Sequence, residues 1–403
     1  MNKYTCITKK LFFIASLLSC PFAVQAQELS IEDHVIMTND LNDSVISNYL
    51  SEKISGSQFI FIGEEHGYKE NTEITHSLFN LAQPWGYNYL AIETDSIAAK
   101  YIEEHASAKH SVELAQQLNS EYPFSIPFYN SPDDYLLFKK VISTGGGIWG
   151  IDQAFMTQFR LNFTRLIGIS KNNKPLNQKL IELQREANES FIKAIETRDF
   201  RAPFIFKYSD DLHGSLIGMC DAPEQSSILN QLKKSRDIYF YNFTNRQYLN
   251  NLHRSYLMKN NFLSYYRANQ TDDKQPKVIF KLGANHAGRG INSTNVYDIA
   301  NLVSELAYSN GMNSIHILLR GIKGQKLIGN PFSDNPVTTY DNSSDLPDEM
   351  LQLIKESDAK YCILDLTQIR ERVHMVSDSL KEILFKFDMV ILINDTGAIR
   401  TFD

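Results

Sequence analysis

The chain is poor in cysteine, with four in 403 residues. That is too few for the disulfide framework that small secreted domains use in place of a core. It has no excess of positive charge. Forty Lys and Arg against 47 Asp and Glu leave a formal charge of −7, whereas a phosphate-binding surface draws on clustered cations, so nucleic acid is not an expected partner. Beyond the N-terminal segment no stretch reaches the roughly 20 apolar residues of a transmembrane helix. There is no Gly-x-Ser-x-Gly nucleophile elbow, and Gly145-Gly146-Gly147 lacks the Lys-Ser/Thr continuation of a phosphate loop. Without a Cys-x-x-Cys-His motif, covalent haem attachment is excluded as well. What remains is 43% hydrophobic and 22% charged, an ordinary globular composition that buries a sizeable core in one large domain or two moderate ones.

The first segment reads as an address. Lys3, Lys9 and Lys10 precede the apolar run Leu11 to Leu18, and Ala23-Val24-Gln25-Ala26 follows. A basic start, a short apolar middle and a small-residue cleavage site make a secretory signal peptide. Cleavage after Ala26 leaves 403 − 26 = 377 residues and, with three lysines gone, a charge of −7 − 3 = −10. Leu17-Leu18-Ser19-Cys20 is a rival lipobox that would leave a lipid anchor on Cys20. Either route exports the chain, to the periplasm or beyond. An oxidising compartment permits a Cys220–Cys362 disulfide, but two separate buried thiols are expected, with Cys362 inside the apolar run Tyr361 to Leu364.

Short apolar, β-branched runs alternate with amphipathic stretches, the pattern of an α/β fold with a largely parallel central sheet flanked by helices. Strands are expected at Gln58–Ile62, Tyr87–Glu93, Gly147–Ile151, Lys277–Leu282, Ser314–Leu319, Tyr361–Leu364 and Met389–Ile393. Helices are expected over Glu73–Leu81, from Ser131-Pro132-Asp133-Asp134 onward, over Thr294–Tyr308 with an Asn310-Gly311 stop, and over Glu371–Phe387. From about 155 to 270 the strand pattern disappears. This segment reads as a helical insertion between two parts of one core, 55–152 and 277–403, so that 27–403 is a single domain.

Four polar clusters each follow the end of an expected strand. They are Gly63-Glu64-Glu65-His66-Gly67; Glu93-Thr94-Asp95; Asp152-Gln153; and Lys281-Leu282-Gly283-Ala284-Asn285-His286-Ala287-Gly288-Arg289. Parallel sheets bind ligands beyond the carboxyl ends of their strands, so the clusters are expected to share one crevice. A histidine beside a carboxylate can take a proton from water while Arg289 or Lys281 stabilises an oxyanion. Alternatively His66, His286 and Glu93 could ligate a divalent metal. Taken singly, Glu65 and Asp95 read equally well as surface residues or caps, Asp152 as a cap, and Lys281 as a paired or snorkelling lysine. The coincidence of four clusters argues for a site, with Glu65, Lys281, Asn285 and Gln153 placed to meet substrate.

The two Gly-x-x-His motifs, Gly63–His66 and Gly283–His286, with Glu93 and Asp152 between them, resemble the superfamily of erythromycin esterases, ChaN-like haem-binding lipoproteins and TIKI/TraB-type proteins. Gly67 and Trp149-Gly150-Ile151-Asp152-Gln153 are most similar to the erythromycin esterase branch. The esterases usually carry one more residue before the first histidine; the shorter spacing here is that of the ChaN and TIKI branches. The esterase resemblance implies metal-free hydrolysis of an ester or related acyl bond in a small molecule. His66 would be general base, positioned by Glu64 and Glu93, with His286 as second site histidine. On this reading His286 and Arg289 would stabilise the oxyanion and Asp152 would order the site. The TIKI resemblance implies a metal-dependent peptidase, and the ChaN resemblance a non-catalytic, non-covalent haem binder.

Export with cleavage after Ala26 predicts a mature N-terminus at Gln27. Intact-mass and N-terminal analysis of the exported chain checks this, and recovery of a lipidated Cys20 would replace it.

Overall fold

The computed structural model describes residues 31–271, 274–330, 332–355 and 357–402. The expected signal peptide and Cys20 lie outside the described residues. Nine strands form one sheet: β1 (Val35–Thr38), β2 (Ser57–Glu64), β3 (Tyr87–Ile92), β4 (Gly147–Gly150), β5 (Lys277–Gly283), β6 (Asn313–Leu327), β7 (Val337–Asp341), β8 (Tyr361–Asp365) and β9 (Met389–Thr396). Their order is β1-β8-β9-β6-β2-β5-β3-β4, with β7 paired to β6. From β9 through β4 every neighbouring pair is parallel. β8 runs antiparallel to β9 and to β1, and β7 antiparallel to the second half of β6. The sheet is therefore mostly parallel with an antiparallel edge, and all seven expected strands are in it.

Strand periodicity divides the core in two. In β2, Ile60 and Ile62 pack into one apolar cluster, and Phe59 and Phe61 into another. β9 does the same with Ile391 and Ile393 against Val390 and Leu392. Strands covered on both faces read as unbroken apolar runs, which is why these were visible in the sequence. Helices Ser44–Ser55, Lys69–Ala82, Ser96–Ala106 and Pro132–Ser143 cover the first face; Gln247–Asn269, Ile299–Ser309 and Asp378–Leu384 cover the second. Between β4 and β5 the described chain is helical. Phe159–Ile169, Lys174–Thr197, Asp210–Met219 and Pro223–Phe243 gather around a third apolar cluster that includes Phe163, Leu180, Tyr208 and Leu229. The last helix of this stretch, Gln247–Asn269, instead applies Met258, Phe262 and Tyr266 to the sheet.

Several local expectations change. β1 and β7 are short strands at or near the sheet margin, with few buried side chains to mark them. β6 runs on to Leu327, through a glycine-punctuated alternating stretch that looks like a loop in sequence. The helix expected from Thr294 begins only at Ile299, because Asp298 caps it and Asn292 Oδ1 accepts from the Thr294 and Val296 amides in a preceding turn. Glu371–Phe387 is not one helix: a 3₁₀ turn over Ile369–Met375 is followed by Asp378–Leu384, capped by Ser377. Ser131 caps Pro132–Ser143 as expected, accepting from the Asp134 amide. Cys220 and Cys362 are both free, Cys362 buried and Cys220 half-buried. No described helix is long and apolar enough to cross a membrane.

β4 packs tightly against the start of helix Ser96–Ala106. A Cβ on Gly150 would lie 2.2 Å from the Asp95 carbonyl oxygen. Gly150→Ala is expected to cost about 2 kcal/mol or more through overpacking against backbone; an unchanged melting temperature would contradict this packing.

Candidate active site

Strand order does what chain order does not. β5 lies between β2 and β3, with β4 beyond β3, so the carboxyl ends carrying all four polar clusters are neighbours. Glu64 ends β2 and Gly283 ends β5, while Glu93 directly follows β3 and Asp152 lies just past β4. Each is aimed by the strand beneath it.

Glu93 is the meeting point. His66 Nε2 lies 3.6 Å from its Oε2 and His286 Nε2 3.6 Å from its Oε1. Two imidazoles 220 positions apart thus face one carboxylate. The Gly283 amide donates to Glu93 Oε2 at 2.7 Å and Arg254 Nη2 donates to Oε1 at 2.6 Å. Gly283 also clears the ground: a Cβ there would sit 3.2 Å from Glu93 Oε2 and 3.3 Å from His66 Nε2. Each histidine is anchored from behind. His66 Nδ1 contacts Glu64 Oε1 at 2.9 Å, and His286 Nδ1 contacts Asp298 Oδ2 at 2.8 Å. The buried Lys281 ammonium holds Glu64 from below at 2.9 Å. Tyr129 ties the strand ends together: its hydroxyl accepts from the Glu93 amide and donates to the Lys281 carbonyl. Phe128 lies flat on the His66 ring, 4.0 Å between centroids.

These groups border a cavity of about 280 Å³ lined by His66, Glu93, Asp152, Gln153, Tyr239 and Arg254, among others. Five of the expected site residues therefore come together here or directly behind the wall: His66, Glu64, Glu93, His286 and Asp152. Gln153 lines the cavity. Asp152 is no helix cap; it forms a two-pronged ion pair with Arg254, Nε to Oδ1 at 3.0 Å.

Other expectations are corrected. Arg289 is not in the crevice. Residues 284–287 form a short helix down the second face, with Ala287 against Gly63, and this carries Arg289 to the amino ends of β6 and β9. There it binds Asp388 at 2.6 Å and the Ser314 carbonyl. Glu65 is engaged by Lys326, Arg320 and Asn342. Asn285 is exposed, accepting from the Ser293 hydroxyl. Lys281 is buried at 2% exposure, pairs with Glu64 and lines a neighbouring cavity. Asp95 follows the cap reading: it caps helix Ser96–Ala106 and binds Gln158 and Asn162. His316 is a core residue: burial pushes its pKa down to about 3, and Nδ1 is bonded to the Ala287 carbonyl.

Sequence reading missed Arg254, Asp298, Tyr129 and Phe128. Arg254 sits inside a long polar helix with no flanking glycine or strand end. Asp298 carries a faint signal, an acid before the apolar run Ile299–Val303, masked by the helix-compatible residues from Thr294 onward.

Electrostatics follow from the packing. Burial works against ionisation of Glu64 and Glu93, yet the neighbouring cations win and both pKa values are lowered, Glu93's strongly through His286 and Arg254. Burial likewise disfavours a charged His66, but Glu64 and Glu93 outweigh it and raise its pKa to about 9. His286 is raised too: burial opposes this, and Asp298 overcomes it. His66 is therefore imidazolium at neutral pH, and His286 is shifted in the same direction. At 3.6 Å neither Nε2 closes a short hydrogen bond to Glu93, and His66, which lines the cavity, keeps that nitrogen available.

Both Glu93 oxygens are already engaged, by an amide and by a guanidinium that supplies the positive charge a metal would bring. Among the described residues no group of three or more His, Cys, Asp or Glu is arranged to hold an ion.

No protein-family model and no curated protein matches the chain. Solved structures do. An erythromycin esterase EreC mutant in its open conformation aligns over 92% of this chain and 99% of its own, with a TM-score of 0.59 and 14% identity. The chain has an erythromycin esterase-like fold. A succinoglycan biosynthesis protein aligns over 93% and 97%, with a TM-score of 0.57 and 14% identity. A Bacillus cereus protein aligns over 93% and 98%, with a TM-score of 0.57 and 13% identity. At such identities the likeness concerns fold alone.

The raised His66 pKa is directly measurable. Ring resonances of His66 should titrate near pH 9. Glu64→Gln removes the negative charge that favours the proton, so the midpoint should fall towards about 6.5. A wild-type midpoint at or below 6.5 would refute this electrostatic assignment.

Proposed function

We propose that the chain is an exported hydrolase in which His66 activates water against an ester or related acyl bond of a small molecule, with no metal required. The observation that carries this reading is the convergence of His66 and His286 on Glu93, with His66 and Glu93 lining one cavity and each ring fixed at Nδ1 by its own carboxylate.

The chemistry follows the geometry. Deprotonated His66 Nε2 takes a proton from a water in the cavity, and the water oxygen bonds to the carbonyl carbon. Glu64, kept ionised by Lys281, orients the ring and stabilises the imidazolium that forms. The carbonyl oxygen becomes an oxyanion that the protonated His286 Nε2 stabilises, with Asp298 holding that proton in place. His66 then returns its proton to the leaving alcohol as the carbon–oxygen bond breaks. Arg254 locks Glu93 and Asp152 and adds positive charge, which Arg289 is too far away to supply. The helices between β4 and β5, through Tyr239 and neighbouring residues, act as a cap that shapes the substrate side.

Hydrolysis of simple aryl esters tests the proposal. His66→Ala should lose about 10²-fold or more in kcat/KM, whereas Arg289→Ala should stay close to wild type; equal rates for His66→Ala and wild type would end the assignment. Because the base form of His66 appears only as pH rises through about 9, kcat/KM should climb on the alkaline side, with an apparent pKa near 9. A plateau already reached at neutral pH would contradict His66 as the base. Exhaustive chelation should leave the rate unchanged, and a loss restored by one divalent metal would favour the peptidase reading instead.

A further inference from the structure

A second cavity, of about 210 Å³, adjoins the catalytic one. Its walls are mainly apolar: Phe124, Pro127, Phe128, Leu327, Ile328 and Ile399. Pro127, Phe128 and Phe155 line both spaces, so the two meet along these side chains. Phe128 is held with some effort. Its φ is 70°, in the left-handed region that a bulky side chain seldom adopts. One face of its ring lies on His66, and Gly329 leaves it room, since a Cβ there would sit 3.0 Å from the Phe128 ring.

Three polar atoms on the walls of this cavity are buried without a hydrogen-bond partner: Glu64 Oε2, which Lys281 pairs by charge, the Tyr68 hydroxyl, which can donate as well as accept, and Asn71 Oδ1, which can only accept. Asn71 lines it at 2% exposure. Its Nδ2 donates to the Glu65 carbonyl at 2.8 Å, which fixes the amide orientation, and its Oδ1 is buried without a hydrogen-bond partner. A buried acceptor left unpaired is unfavourable until a donor reaches it. Size limits the occupant. A dry cavity of about 150 Å³ already takes benzene, while drug-sized ligands need roughly 300 Å³ or more.

We infer that this cavity is a subsite for a monocyclic aromatic group carrying a hydroxyl or amino donor, the donor bonding to Asn71 Oδ1 and the ring packing between the Phe128 and Ile399 walls. The assignment of that group to the ester substrate rests on the hydrolase reading; the binding itself does not.

Benzyl alcohol and toluene serve as probes, with NMR titration of the folded full-length chain as the readout. Both should bind wild type and His66→Ala equally. Asn71→Leu should weaken benzyl alcohol about tenfold and leave toluene unaffected. Ile399→Trp, at the half-buried rim, fills the space from outside and should abolish binding of both. No binding to wild type, or undiminished binding to Ile399→Trp, overturns the subsite. An equal loss of both probes in a folded Asn71→Leu chain overturns the donor requirement. Turnover of simple esters without probe binding would leave the hydrolase standing and remove the subsite; probe binding without turnover would do the reverse.

Discussion

Everything at this site depends on burying the Glu93 carboxylate. A carboxylate taken out of water is strongly unfavourable unless charge and hydrogen bonds replace its hydration. Here the replacements come from distant parts of the chain: the Gly283 amide at the end of β5, the Arg254 guanidinium from a helix on the second face, and two imidazoles. Satisfying Glu93 therefore draws the site together. The balance extends outward, with Glu64, Asp152 and Asp298 answering Lys281, Arg254 and the two rings. Acids and cations thus alternate through the site, which explains how so many charges tolerate burial.

That balance has a chemical side. A histidine set between two carboxylates holds its proton more tightly than a free imidazole, so the potential base is restrained at neutral pH. His286 has Asp298 behind it, which shifts its pKa the same way. In the proposed mechanism, two histidines in similar chemical company thus divide into a group that gains and loses a proton and a group that donates one. This division depends on which face of each ring reaches the cavity, and Phe128 flat on His66 helps determine that.

The fold supplies the convergence cheaply. Inserting β5 between β2 and β3 brings the second Gly-x-x-His motif beside the first, and a glycine at the end of β5 lets Glu93 and His66 approach over it. The same principle accounts for Arg289's absence. It follows His286 by three residues, but the intervening helical turn descends the sheet face and delivers it to the opposite ends of the strands.

Much was legible from the residues alone. The strands covered on both faces announced themselves as unbroken apolar runs, and their ends marked Glu64, His66, Glu93, Asp152 and His286, because a parallel strand aims whatever follows it. β1 and β7 escaped because marginal strands bury little. The antiparallel turn of β8 escaped because a central strand's composition does not encode its direction. Arg254 and Asn71 were invisible for a different reason: a helix displays side chains all round, and only the tertiary packing decides which of them faces an ionised carboxylate and which is left facing an empty apolar space. Local sequence determined the strands and the groups at their tips. Long-range packing decided which cation completes the charge balance, because that depends on where a distant helix crosses the sheet.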